Sequence, residues 1–233
     1  MKSLYESGFT VIETVLFLSI SGALAIGILV GTTTSINVQR YRDSVNSLQS
    51  FMRQQYSDVA NVRNDKLTNS CSGVPDISRG QSNCVILGRY IKMTDSNKFT
   101  ATTVIGTIPL SLSSSDDLAV LLAYDIKLAL SDIDKLTYDT EWGSLISKED
   151  GTSMGSLAIL ILRSPSSGVI RTFVDTSGTS TLLAILNRNN LKEAKMCVNS
   201  NGLFNGSKMA VVINANTTGA SGVVTFGDNS GCR

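Results

Sequence analysis

The chain has 233 residues, with 20 lysines and arginines against 19 acids, and it contains no histidine. This near balance of charge gives no support for nucleic-acid binding, and the missing histidine removes the commonest general base and metal ligand. We therefore expect no catalytic site, no metal site, no cofactor and no small-molecule substrate, so enzyme classes are disfavoured.

The first predicted element is an apolar helix near the N-terminus. Between Phe9 and Val30 the one ionisable side chain is Glu13. At about 1.5 Å per residue this run can cross a hydrocarbon core about 30 Å thick. A carboxylate near the bilayer interior costs about 2.5 to 3.5 kcal/mol and usually has a function or a partner. A cleaved secretory signal, with its site at Ala23–Ala25, and a plain membrane anchor both explain the run but not Glu13.

The residues around this carboxylate form a motif. Residues 8–13, Gly-Phe-Thr-Val-Ile-Glu, resemble the processing site of type IV prepilins and of the pseudopilins of type II secretion. The resemblance implies that residues 1–8 are a leader peptide, cut between Gly8 and Phe9 by a membrane-embedded prepilin peptidase. It also implies methylation of the new N-terminal residue, Phe9.

The same resemblance implies how subunits assemble. Cleavage creates a positive amine in the membrane, and Glu13 of a neighbouring subunit can neutralise it. Gly22 falls where these proteins commonly have a glycine, and Val30 stands where many of them have a proline. Glu13 and Gly22 are therefore the predicted assembly residues, and residues 9–31 the predicted transmembrane and polymerisation helix.

Beyond the apolar run, the pattern predicts that the same helix continues as an amphipathic extension over residues 32–66. No proline interrupts residues 9–65. Apolar side chains recur at spacings of three, four and seven, which is typical of one buried helix face. The members of this stripe are Tyr41, Val45, Leu48, Met52, Val59 and Val62. We expect them to pack against a head domain formed by residues 67–233.

Three pairs of β-prone runs lie in the head: the first two predict hairpins, and the third is expected to complete an antiparallel sheet with them. The pairs are residues 84–93 with 99–108, residues 157–163 with 168–174, and residues 208–215 with 222–227. The run 157–163 is apolar without a break, which is typical of a strand covered on both faces. We expect this strand to pack on the long helix.

A further helix is predicted in mid-chain, after Ser and Asp residues at 114–117 that suit a helix N-terminus. Apolar side chains continue its pattern at Leu118, Leu121, Leu122, Leu128 and Ile133. Acids crowd this part of the chain, at Asp116, Asp117, Asp125, Asp132, Asp134, Asp139, Glu141, Glu149 and Asp150. They form either a solvated face or a surface that meets a basic face of the next subunit, since complementary charge fixes register in head-to-tail contacts.

The chain has four cysteines: Cys71, Cys84, Cys197 and Cys232. An even number of cysteines in an exported protein favours two disulfides. Metal binding is the alternative, but the sequence contains no C-x-x-C pair, the spacing typical of a metal site. Three connectivities are possible, and proximity favours Cys71 with Cys84 and Cys197 with Cys232. The second pair resembles the disulfide-bounded C-terminal loop of many pilins. Trp142 is either a core or loop anchor or a ligand platform.

Together these features predict an α+β protein: a long N-terminal transmembrane helix packed on an antiparallel β-sheet head with an inserted acidic helix. The resemblance implies a non-enzymatic structural subunit of a type IV pilus or pseudopilus. It would lie in the cytoplasmic membrane before assembly and in an extracellular filament afterwards. Its partners would be copies of itself or related pilins, the prepilin peptidase, the pilus assembly platform and the membrane. The alternative is a minor pilin or H-type pseudopilin whose head primes assembly or binds a ligand such as DNA or a surface.

Overall fold

The structure, a computed structural model, describes residues 10–61, 84–111, 116–129, 135–177, 181–203, 205–227 and 230–233. The chain divides into two compact units, the first ending at Arg40 and the second beginning at Tyr41. Helix α1 (Val11–Ala60) has 50 residues and contributes to both units. Residues 1–9 and 62–66, at the two ends of the predicted helix, lie outside the described residues.

The head half of α1 carries the predicted amphipathic stripe. Its buried residues are Tyr41, Ser44, Val45, Leu48, Phe51, Met52, Gln55, Tyr56 and Val59. They recur at the three- and four-residue spacing of one helix face. The predicted stripe is therefore confirmed from Tyr41 to Val59, whereas Val62 lies outside the described residues.

The described part of the second unit also contains ten strands and several short helices. The strands are Cys84–Asp95 (β1), Lys98–Thr107 (β2), Lys127–Leu128 (β3), Lys135–Asp139 (β4), Leu145–Ser147 (β5), Leu157–Arg163 (β6), Ile170–Asp175 (β7), Ala194–Asn199 (β8), Met209–Ile213 (β9) and Val223–Phe226 (β10). The short α-helices are Asp117–Ala123 (α2) and Leu182–Ile185 (α3), and 3-10 turns occupy Glu141–Gly143, Arg188–Asn190 and Ala220–Gly222. The predicted α+β class is confirmed.

The described strands form two antiparallel sheets instead of the one that we expected. Sheet A has the order β3-β2-β1-β6-β7, with β4 also paired to β2. Sheet B has the order β10-β9-β8-β5. Both predicted hairpins are present, as β1–β2 and β6–β7, and the third pair of runs forms a further hairpin, β9–β10. The third hairpin lies in sheet B because it pairs through β8 with β5, a contact between distant parts of the chain.

Sheet A is covered on both faces, and β6 shows this most clearly. Six of its seven residues, Leu157 to Leu162, are buried, and Arg163 is partly buried. Ile159 and Ile161 belong to the cluster that holds the head half of α1, whereas Leu160 and Leu162 belong to the cluster that holds α2 and α3. Because side chains alternate along a strand, an unbroken apolar run fits this double burial. The prediction for residues 157–163 is confirmed.

The predicted mid-chain helix is shorter than expected. It begins at Asp117 and ends at Ala123, and the backbone of Asp125 turns into the left-handed region with φ 46°. Lys127 and Leu128 then pair with Ile105 and Val104 at the edge of β2. Lys127 and Leu128 therefore form sheet hydrogen bonds with β2 instead of the helical hydrogen bonds that the local apolar spacing predicted. Leu128 lies in β3, and Ile133 lies outside the described residues.

Candidate assembly segment and head surfaces

The first unit carries the candidate assembly segment, the apolar part of α1 from Val11 to Ile36. Among the described residues, α1 is the one helix long and apolar enough to cross a membrane, with a mean hydropathy of 2.2 in its most apolar window, none of which is buried. The exposed large side chains are Val11, Ile12, Val15, Leu16, Phe17, Leu18, Ile20, Leu24, Ile26, Ile28, Leu29, Val30 and Ile36. Together they form an apolar surface, and contact of such a surface with water is unfavourable.

This apolar surface surrounds the helix. Successive residues of an α-helix are rotated by about 100°. Val15, Leu16, Phe17 and Leu18 are consecutive, and each is more than half exposed, between 55% and 69%. Apolar groups therefore face outward in every direction, which is typical of a helix surrounded by lipid or by other helices rather than one lying on a single partner face.

Glu13 closes a capping box at the start of α1. Its carboxylate Oε2 accepts hydrogen bonds from the backbone N–H of Thr10 at 2.8 Å and from the Thr10 hydroxyl at 2.9 Å. The Glu13 N–H donates back to Thr10 Oγ1 at 3.4 Å. This reciprocal pattern satisfies two backbone donors that a helix leaves unpaired at its N-terminus. The carboxylate thus has a local structural role in the single chain.

The other predicted residues of this segment divide into two groups. Gly22 is exposed, and a Cβ added there would meet no atom within 4 Å, as at Gly27 and Gly31. These positions leave room for close approach of a neighbouring helix, which small residues allow in membranes. Gly8 and Phe9, the predicted cleavage pair and methylation site, lie outside the described residues.

In the second unit, buried tyrosines join the head half of α1 to the sheets. The Tyr41 hydroxyl donates to the carbonyl of Val198 at 2.8 Å and accepts from the N–H of Met209 at 2.6 Å. It thereby completes the β8–β9 ladder at its last pair, Val198 with Met209. The Tyr56 hydroxyl is 2.8 Å from Thr172 Oγ1 on β7. Burial raises the pKa of both phenols, so both act as neutral hydrogen-bonding groups.

Polar side chains of the same helix bind strand β10. Arg53 donates to the carbonyl of Val223 from Nε at 3.1 Å and from Nη2 at 3.0 Å, and Gln49 Nε2 donates to the same oxygen at 3.2 Å. Three donors on one carbonyl fix the end of this strand against α1. Sequence periodicity did not indicate these contacts, because Arg53 and Gln49 lie beside the apolar stripe.

Most acids of the predicted acidic surface have basic or hydroxyl partners within the head. Asp116 pairs with Arg188 at 2.8 Å, Asp117 with Arg171 at 3.2 Å, Asp125 with Lys127 at 2.7 Å and Glu149 with Lys195 at 2.9 Å. Glu141 accepts from Ser47, and Asp150 accepts from Thr152. Asp132 and Asp134 lie outside the described residues. These side chains therefore do not form a uniformly acidic face.

Asp117 shows how this pairing acts. Hydrogen bonds from Ser167 and Ser164 lower the pKa of its carboxyl, and Arg171 lowers it further. The Ser167 hydroxyl lies 2.7 Å from Asp117 Oδ1. Asp117 thus connects the start of α2 to the β6–β7 hairpin. The side chain of Asp116, the N-cap residue of α2, makes no capping hydrogen bond.

The predicted C-terminal disulfide is present. Cys197 on β8 is bonded to Cys232, with their Cα atoms 5.8 Å apart and a sequence separation of 35. It ties the C-terminal tail to sheet B. Cys84 is also disulfide-bonded, and its predicted partner Cys71 lies outside the described residues. No group of metal-ligating side chains occurs in the described part of the chain.

Thr10 is a residue of the candidate segment that sequence reasoning missed. The signal was visible, since Thr-x-x-Glu before an apolar run is the sequence signature of a capping box. The partners of Tyr41, in contrast, are 157 and 168 residues away and leave no local signal. No protein-family model, curated protein or solved structure matches this chain.

Proposed function

We propose that this chain is a structural subunit of a filament of the type IV pilus or pseudopilus class. In this proposal the chain is cut after Gly8, methylated at Phe9 and assembled through the apolar segment of α1. The observation that carries the proposal is one uninterrupted helix with two surfaces. Its apolar residues are exposed on all sides from Val11 to Ile36, and its stripe from Tyr41 onward is buried in the head.

Such a helix suits a subunit that changes its surroundings. Before assembly the apolar segment needs lipid, because every side chain of a membrane-crossing helix faces hydrocarbon. After assembly the same segment packs against the equivalent segments of other subunits. The open space at Gly22, Gly27 and Gly31 supports close helix packing. A helix that served only as an anchor would not need this space.

Glu13 has two alternative partners in this proposal. In the single chain its carboxylate binds Thr10. In the filament it neutralises the amine of Phe9 on a neighbouring subunit, as the resemblance implies. A buried charge is tolerated where an opposite charge and hydrogen bonds compensate for its lost solvation. The prepilin peptidase, the assembly platform and the membrane are the further partners implied by the same motif.

The experiment that tests this proposal is intact mass measurement with N-terminal sequencing. The protein from sheared surface filaments is compared with the protein in the cell-membrane fraction. We expect a chain that begins at methylated Phe9 in both fractions. If that species is scarce at the surface, the chain belongs with the minor pilins or pseudopilins of the same class. A start at Ile26 would indicate ordinary signal cleavage, and an uncut chain would indicate a plain anchor; either result overturns the proposal.

A further inference from the structure

A small pocket opens on the head where α2, β7 and the Arg188–Asn190 turn meet. Its volume is about 210 Å³. Four apolar side chains form its floor: Leu118, Leu121, Phe173 and Leu191. Leu121 and Phe173 are fully buried members of the core beneath it. The volume is below the roughly 300 to 1,000 Å³ of pockets that take drug-sized ligands, so this pocket suits one protruding side chain of a protein partner.

Two arginines stand at the rim of this pocket, which we name the arginine pocket. Arg171 is held by Asp117 at 3.2 Å, and Arg188 by Asp116 at 2.8 Å. The side chains of the arginines remain 38% and 69% exposed. A guanidinium has five N–H donors and a flat face, so each arginine can pair with its carboxylate and still bind a further acid or stack on an aromatic ring. Asp116 and Asp117 also line the pocket and balance the charge of the arginines. The apolar floor therefore favours an aromatic anchor, and Arg188, the more exposed of the two arginines, is the group that can bind an acid beside it.

The chain presents one such group at the Trp142 turn, residues 140–144. Trp142 is 51% exposed. Its φ of 55° lies in the left-handed region, which bulky residues seldom adopt because Cβ crowds the backbone. Strained positions of this kind persist where the surroundings fix them and often serve recognition. Glu141, directly before the tryptophan, supplies the acid.

The Trp142 turn is held rigidly. The Thr140 N–H donates to the carbonyl of Asn97 at 2.8 Å, and the Ser144 N–H donates to the carbonyl of Glu141 at 3.1 Å. The Thr140 hydroxyl donates to the carbonyl of Ser144 across the turn. A rigid turn loses little conformational entropy when a partner binds its exposed side chain. Tryptophan is also among the residues that most often dominate binding energies.

The turn and the pocket lie on opposite sides of sheet A. Ser47 on α1 donates to Glu141 Oε1 at 2.8 Å, and α1 covers the face of the sheet that carries Ile159 and Ile161. The pocket floor belongs to the cluster on the other face, with Leu160 and Leu162. Two different surfaces on opposite sides let copies join head to tail, and such heterologous contacts generate open series or rings rather than closed dimers.

We propose that Trp142 of one copy inserts into the arginine pocket of the next copy, with Glu141 facing Arg188. This inference rests on the proposed function, because it names the head contact between neighbouring subunits in the assembled filament. The indole face and the neighbouring carboxylate match the guanidinium rim, and the apolar floor matches the indole body.

Site-specific photo-crosslinking in the full chain tests this contact. A benzophenone amino acid replaces Trp142, cells assemble filaments, and the crosslinked peptides from sheared filaments are sequenced by mass spectrometry. We expect crosslinks to peptides that contain Leu118, Leu121 or Leu191 of another copy. The matched control carries the benzophenone at Phe226, an aromatic residue that is 45% exposed on β10 of sheet B. It should not give these crosslinks.

Charge exchange supplies the second test. Arg188→Glu and Glu141→Arg should each lower the yield of pocket crosslinks by about tenfold or more, and the double variant should restore it. Lys127→Glu, which breaks a comparably exposed ion pair outside the pocket, is the control and should leave the yield unchanged.

The outcomes separate the two proposals. If filaments contain the chain but Trp142 crosslinks to other surfaces, the inserted tryptophan is wrong and the filament proposal stands. If the chain forms no filament, the proposed function fails and this inference fails with it. If crosslinks reach the pocket but the double variant does not recover, the pairing of Glu141 with Arg188 is wrong.

Discussion

At the scale of single residues, Glu13 combines a capping role with a proposed role in assembly, and two substitutions separate them. Glutamine at this position keeps the capping box, since Gln can replace Glu there, but it removes the charge. Alanine removes both. We expect Glu13→Gln and Glu13→Ala to reduce the chain in sheared filaments to a similar extent, measured by immunoblot against the membrane fraction, because the charge is what a neighbouring amine requires.

Thr10→Ala is the control for the cap alone. Loss of an N-cap side chain costs about 1 kcal/mol of helix stability, which a 50-residue helix packed on the head tolerates. The Thr10→Ala chain should therefore still assemble. Normal assembly of Glu13→Gln, with failure of both Glu13→Ala and Thr10→Ala, would show that the carboxylate serves only as a cap.

Tyr41 gives a prediction for the head. Tyr41→Phe leaves the Val198 carbonyl and the Met209 N–H without this hydroxyl in a buried site, and each unsatisfied group costs about 1 to 3 kcal/mol. We expect the free energy of unfolding, measured by chemical denaturation in detergent, to fall by at least about 1 kcal/mol. Ser44→Ala is the contrast, because Ser44 Oγ is buried with no hydrogen-bonding partner among the described residues. It should be neutral or stabilising, and equal losses for both variants would contradict this account.

The residue scale also shows what sequence can reveal. Glu13 was identifiable because one charge in an apolar run is costly, and Tyr41 because it falls on the buried stripe. The tyrosine hydroxyl's partners and the left-handed Trp142 could not be predicted. Both depend on strands and turns that come together only in the folded head, and neither leaves a periodic signal.

At the scale of elements, the local sequence predicted the hairpins, whereas the end of α2 and the division into two sheets depend on strand pairing between distant parts of the chain. The β1–β2 and β6–β7 hairpins follow from β-branched runs around short polar turns. Helix α2 stops at Ala123, although its apolar spacing continues, because Lys127 and Leu128 gain sheet hydrogen bonds on β2. The division into two sheets likewise depends on β8, which pairs with β9 and β5 instead of with a strand of sheet A.

Gly88 tests the central pairing of sheet A. It follows a register shift between Ile86 and Gly88 in the β1–β2 ladder, and an added Cβ would come within 1.9 Å of the Ile161 carbonyl oxygen on β6. Because that neighbour is backbone, it cannot move without opening the ladder. We expect Gly88→Ala to lower the free energy of unfolding by more than about 2 kcal/mol. Gly155→Ala, where an added Cβ meets nothing within 4 Å, is the control and should change it by less than about 1 kcal/mol; a mild effect at Gly88 would contradict the β1–β6 register.

At the scale of the whole molecule, α1 joins two units with different requirements. The first unit exposes apolar side chains that need lipid or neighbouring helices, whereas the second buries its apolar stripe in its own core. The sequence reveals this difference because the helix changes from apolar on all sides to amphipathic. What the sequence does not reveal is where one unit ends, since the helix crosses the boundary at Arg40 without a break.

This boundary predicts that residues 41–233 fold without the apolar segment. The buried face of α1 begins at Tyr41, and its side chains fill the core between sheet A and sheet B. We expect the 41–233 fragment to be soluble, with a cooperative unfolding transition and a Tyr41→Phe effect equal to that in the full chain.

A fragment of residues 61–233 is the control. It lacks the large buried side chains of α1, including Leu48, Met52 and Tyr56, and should aggregate because both sheets would expose their inner faces. Aggregation of the 41–233 fragment as well would show that the apolar segment contributes to folding of the head and not only to membrane insertion and assembly.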